Sequence, residues 1–151
     1  MEKIRIRSKN LYVIEVNDAG ETIEFDITDI ELPFKLERTK QKIDDVRKWL
    51  KAQQIIISKQ QDTAKKGDIM TVKERATVNA YRDAFKKMRA AIDEFAGEGA
   101  SQKIFGSHNY LEMFNDFMEA MLPHFEKMKI NGEETIKRIE EKYSNKADDE
   151  I

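Results

Sequence analysis

TVKERATVNAYRDAFKKMRAAIDEFAG, residues 71–97, reads as one amphipathic helix from cap to stop. Thr71 and Glu74 stand three apart, the spacing of a capping box. The threonine hydroxyl takes a backbone N–H that the helix leaves without a partner, and the glutamate reaches back. Tyr81, Ala84, Phe85, Met88, Ala91, Ile92 and Phe95 then recur at helical steps, which sets them on one face. Gly97 ends the run. A helix with one apolar stripe must bury it against another element, so the flanking sequence has to supply a second layer.

Upstream, nothing from Pro33 to about Lys66 breaks a helix, and Pro33 suits a first turn. Leu36, Ile43, Leu50 and Ile57 repeat every seven residues, with Val46 between two of them and polar Gln53 at the matching later place. That seam suits packing along a partner helix. At 1.5 Å per residue the helix would be about 50 Å long, with Gly67 as its stop and the β-prone Ile55-Ile56-Ile57 as a place to break. Further upstream, residues 11–16 are rich in β-branched and aromatic types. Asn17-Asp18-Ala19-Gly20 is a turn signal, and Ile23, Phe25 and Ile27 alternate with Thr22, Glu24 and Asp26. Ile4 and Ile6 alternate with Lys3, Arg5 and Arg7. The expectation is a β-hairpin or small three-stranded meander over 3–27.

Downstream, residues 97–108 form a connector with one helical turn around Gln102–Phe105. Asn109-Tyr110-Leu111-Glu112 resembles a second N-cap. The helix behind it carries Met113, Phe114, Phe117, Met118, Met121, Leu122, Phe125 and Met128. Pro123 removes a backbone donor and is expected to kink or split it, and Asn131-Gly132 to end it. A last helix runs from about Glu133 to Tyr143, with Ile136, Ile139 and Tyr143 at helical spacing. Residues 144–151 read as a disordered acidic tail. The expected fold is mostly α: a single domain over 1–143, with the hairpin followed by a helical body of about four helices over 33–143.

Composition narrows the function. The chain has 151 residues, no cysteine and two histidines. No disulfide framework, thiolate nucleophile or thiolate metal site is therefore available. His108 and Glu112 stand one helical turn apart, but one His and one Glu are too few ligands for a metal. Gly97-Glu98-Gly99 lacks the preceding strand and GK[ST] ending of a phosphate loop. Asp44-Asp45 and Asp148-Asp149 are sequence neighbours and point apart on a helix. No catalytic residue, cofactor or metal is expected, and the chain is read as non-enzymatic. No apolar run approaches the ~18 residues that span a bilayer. Residues 1–7 alternate charge without an apolar signal core, so a cytoplasmic location is expected.

Charged residues make up 37% of the chain, with a net charge of −2. Residues 33–67 hold ten basic and four acidic side chains, including Lys35, Arg38, Lys40, Lys42, Arg47, Lys48 and Lys51. These wrap around the helix, and Trp49 is the sole aromatic among them, so no base-stacking platform is indicated. With a slightly acidic whole chain, nucleic-acid binding through helix 35–51 ranks as the alternative function. Above background stands the Met/Phe-rich segment 111–128. Its apolar residues cover more than one helical face, which suits a helix that is central in a core or offers its second face to a partner. Phe117, Met118, Met121, Leu122 and Phe125 are the candidate partner-binding residues, because flexible sulfur side chains and aromatics repack against varied surfaces.

The order of elements carries a resemblance. An acidic hairpin precedes a helical body. A helix ends in Asp93-Glu94-Phe95-Ala96-Gly97-Glu98-Gly99-Ala100, then come Lys103-Ile104-Phe105-Gly106 and the Met/Phe-rich helix. This layout resembles the phage tail assembly chaperones of siphophages and prophages of Gram-positive bacteria. The resemblance spans most of the chain, with residues 93–106 its sharpest piece. It implies a helical protein in the bacterial host cell that coats the tape measure protein before the tail tube polymerises, keeps it soluble and helps recruit tail tube subunits. The family has no catalytic residues to carry over, and the basic helix has no counterpart in it. Weak self-association through the hairpin edge is a further expectation.

Overall fold

The computed structural model describes residues 2–4 and 10–149. Their order is β1 (Leu11–Glu15), β2 (Thr22–Asp26), α1 (Leu32–Ser58), α2 (Val72–Ala96), α3 (Ala100–Phe105) and α4 (Met113–Asp149). The fold is mostly helical, with four helices and an N-terminal two-stranded antiparallel hairpin. Residues 5–9, which hold most of the expected third strand, lie outside the described residues. The chain divides into two compact units, one of residues 1–33 with 110–151, the other of residues 34–109.

In the first unit the hairpin pairs Tyr12 with Phe25 and Ile14 with Ile23, so these four share a face. Ile23 and Phe25 are buried, whereas Leu11 and Val13 on the opposite face are 48% and 53% exposed. The turn is closed by Val16 N–H on Glu21 O and Gly20 N–H on Asn17 O. Gly20 supplies the positive φ of 80° that the turn requires. The Asn17 side-chain oxygen accepts from Glu21 N–H. On α4, Met113, Phe114, Phe117, Met121 and Met128 are buried.

α4 departs from the expected pattern in three places. It runs through Pro123 as one helix, because proline removes only one ladder bond and the remaining bonds of the neighbouring turns hold. It also runs through Gly132 to Asp149, into the stretch expected to be a tail. Gly132 does not take the positive φ of a helix stop. It is buried, and a Cβ added there would sit 2.8 Å from the backbone oxygen of Ile27. The glycine is there for close approach of the chain leaving β2, which the sequence pattern alone cannot distinguish from a stop.

In the second unit α1 and α2 lie antiparallel. Lys42 contacts Glu94, Trp49 meets Lys87, Gln54 reaches Tyr81 and Ser58 meets Lys73, so partner numbers fall on α2 as they rise on α1. Ile43, Val46, Leu50 and Ile57 of the seam are buried, as are Ala80, Ala84, Met88, Ala91 and Ile92 of α2. Leu36 at the start of the seam is half-buried, as are Tyr81, Phe85 and Phe95 at the edges of the α2 stripe.

α1 stops at Ser58, well before Gly67, because the connector has its own partners to satisfy. Thr63 O accepts from Val72 N–H at 2.8 Å, Asp62 Oδ1 from Lys73 N–H, Thr71 Oγ1 from Glu74 N–H and Thr71 O from Arg75 N–H. The first three satisfy first-turn donors of α2 that its own ladder leaves open, and the last is the first bond of that ladder. In return Lys73 Nζ donates to Ser58 O, setting a cation on the carbonyl end of α1. A helix continued to Lys66 would forfeit this reciprocal cap.

Candidate partner-binding surface

The Met/Phe-rich stretch is sorted by depth. Phe117 and Met121 are 7% and 3% exposed, so they belong to the core of their unit and present no free surface. Met118 and Phe125 are half-buried, and Leu122 is 57% exposed. Of the five candidates, then, Leu122 with the accessible parts of Met118 and Phe125 faces outward. Tyr110 and Leu111, just before α4, are exposed as well. α4 thus has one apolar side in the core and further apolar groups exposed outside it.

The helix is held in place beside the candidates. The Tyr12 hydroxyl lies 2.9 Å from His124 Nδ1, with the two rings edge to face at 5.7 Å. Tyr12 is on the inner face of the hairpin and His124 follows Pro123. The bond therefore ties β1 to the turn of α4 where the proline has removed a backbone donor. His124 therefore has a structural role.

A second polar join orders the connector of the other unit. Arg89 donates through Nε to Asn109 Oδ1 at 2.7 Å and through its terminal nitrogens to the carbonyls of His108 and Ser101. The Phe105 ring lies beneath the guanidinium. Burial pulls the Arg89 pKa down, while the carboxylate of Asp93 opposes the shift. Asp93 Oδ1 accepts from Ser101 N–H at 2.7 Å and so caps α3. Residues 93–106 are thus a structural corner. Ser101 and His108 serve it through their backbone.

The basic helix is partly engaged. Lys42 pairs with Glu94, and Arg47 lies 3.8 Å from Asp44. The hydrogen bond and the charge of Lys42, with Arg38 adding to them, hold the Glu94 carboxyl below the ordinary carboxylate range. Lys87 Nζ sits 3.9 Å over the Trp49 ring, so that face carries a cation already. Arg38, Lys40, Lys48 and Lys51 are exposed.

Charge separates the two units. Residues 34–109 hold seventeen basic and ten acidic side chains, a net of +7. Residues 1–33 with 110–151 hold ten basic and nineteen acidic ones, a net of −9. Read along the chain, the acidic stretches lie at opposite ends and the total nearly cancels. Only the fold collects them into one body.

Among the described residues no group of three or more His, Cys, Asp or Glu side chains is placed to hold a metal, and no helix is long and apolar enough to cross a membrane. Comparison with protein-family models, with curated proteins and with solved structures finds no match.

Proposed function

We propose that this chain is a non-catalytic assembly chaperone of a phage tail. It works in the cytoplasm of the bacterial host and covers the tape measure protein until tail tube subunits are recruited. The observation that carries the reading is the exposed second side of α4, where Leu122 is 57% exposed beside Met118 and Phe125. An apolar side with flexible sulfur and aromatic groups suits a long helical client of varied sequence. The layout resemblance supplies the identity of that client.

Co-expression with a siphophage tape measure protein tests the proposal. The chaperone should raise the soluble fraction of the client and co-purify in excess over it. Leu122→Asp sits on the exposed side, so it should fold normally and lose the effect. A client equally insoluble with and without this chain would refute the reading.

The +7 charge of residues 34–109 favours a second reading, a small prophage protein that binds nucleic acid through the basic helix. Submicromolar binding to duplex DNA at about 150 mM salt, weakening steeply as salt rises, would put this reading first.

A further inference from the structure

One stripe on α4 continues past the point where its cover ends. Phe114, Phe117, Met121, Phe125, Met128, Gly132, Ile136, Ile139 and Tyr143 follow each other in steps of three, four and four. An 11-residue period of this kind is about 3.67 residues per turn, so the stripe barely drifts around the helix. Up to Gly132 it is buried or half-buried, and Ile27 closes on Gly132. Beyond it Ile136, Ile139 and Tyr143 are 38%, 46% and 69% exposed. Glu133 and Glu140 stand on one flank of this bare part, both exposed. A matching strip of opposite charge lies on the last turns of α1, where Lys48, Lys51 and Ile55 share one side at helical spacing. All three are exposed, Ile55 to 58%. Each strip is two turns long, and each belongs to the unit whose net charge it shares.

We propose that the bare part of the α4 stripe docks on the Lys48–Ile55 strip of α1 in a second copy of this chain. Ile136, Ile139 and Tyr143 cover Ile55 and the lysine stems, while Glu133 and Glu140 face Lys48 and Lys51. The occupant is a second copy because this chain carries both halves of the match: one apolar face with an acidic flank, and one with a basic flank, on bodies of −9 and +7. The two faces differ, so occupying one leaves the other open, and association proceeds beyond a pair unless the geometry closes. The charged rim makes it salt-sensitive. This inference stands apart from the client proposed above and does not need it.

Sedimentation velocity of the full chain at about 50 mM and about 500 mM salt tests it. Larger species should grow with protein concentration at the lower salt and fall back towards monomer at the higher. Ile139→Asp, and separately the pair Lys48→Glu with Lys51→Glu, should weaken association at least tenfold with an unchanged far-ultraviolet spectrum. Mixing the Lys48→Glu, Lys51→Glu chain with a Glu133→Lys, Glu140→Lys chain should restore a complex that neither forms alone. A chain monomeric at every concentration at low salt overturns the proposal, and so does a failed restoration. Association that survives both variants also overturns it, since another surface, such as the hairpin edge, would then be responsible.

Discussion

In the unit of residues 34–109, two helix starts are tied by residues nearby in sequence: Asp62 and Thr63 hold the start of α2, and Asp93 holds the start of α3. In the unit of residues 1–33 and 110–151, the joins run between the two ends of the chain. Tyr12 meets His124 across 112 positions, and Ile27 closes on Gly132. The first kind of join follows from propensity and capping, and forms as soon as its helix does. The second kind pays loop-closure entropy first and depends on side chains that fit. The second unit should therefore tolerate substitutions at its half-buried margin, while the first should be sensitive wherever α4 meets the hairpin.

The largest expected effect is in the core of α4. Phe114 is fully buried, so Phe114→Ala should cost about 3–5 kcal/mol in a urea titration. Phe85 on α2 is half-buried, and Phe85→Ala should lower the midpoint clearly less. Equal losses would break the contrast between the two units.

Gly132→Ala sharpens it through the sign. On helix propensity alone, alanine gains about 1 kcal/mol over glycine in a helix interior. Here the new methyl meets the Ile27 carbonyl oxygen at 2.8 Å, a backbone atom that cannot swing aside. Overpacking of this kind costs about 1–3 kcal/mol, so the variant should be less stable than the parent. A rise in the unfolding midpoint would show that the helix does not approach β2 this closely.

Asp93→Ala removes the acceptor for Ser101 N–H and should cost about 1 kcal/mol, the usual loss of a helix cap. Hydrogen exchange should quicken around residues 100–105 and stay unchanged along α4. Faster exchange in α4 would mean that the two units share this corner.

The smallest effect is electrostatic. Lys42 holds the Glu94 carboxyl below its ordinary value, so the folded form binds that proton less readily than the unfolded chain. Its stabilisation is fully present above the ordinary carboxylate pKa of about 4.3 and is lost as pH falls through the lower folded value. Glu94→Gln should therefore be slightly less stable than the parent at neutral pH and low salt, and the gap should close on acidification. A gap that widens at low pH would assign the effect elsewhere. The pair is exposed, so salt should shrink the difference.

The α1–α2 pair, the hairpin and the ends of α2 were legible because each rests on local chemistry. A seven-residue seam, an alternating strand pair around Asn17–Gly20 and the Thr71 cap each specify a conformation within one or two turns of themselves. That Phe117 and Met121, two of the partner-binding candidates, are buried was not legible, for the opposite reason. An apolar residue on a helix with two apolar sides carries no mark of which side the hairpin covers.

Composition and periodicity by themselves determined a mostly helical chain with an N-terminal hairpin, because turn chemistry and the 3.6-residue period act on neighbours. The tertiary structure alone decided that α4 passes Gly132, since that glycine answers to the carbonyl of a residue more than a hundred positions away. It alone decided where α1 stops, since the connector satisfies the first turn of α2. It also gathered the charges into bodies of −9 and +7, because contact in space, and not order along the chain, sets which side chains share a surface.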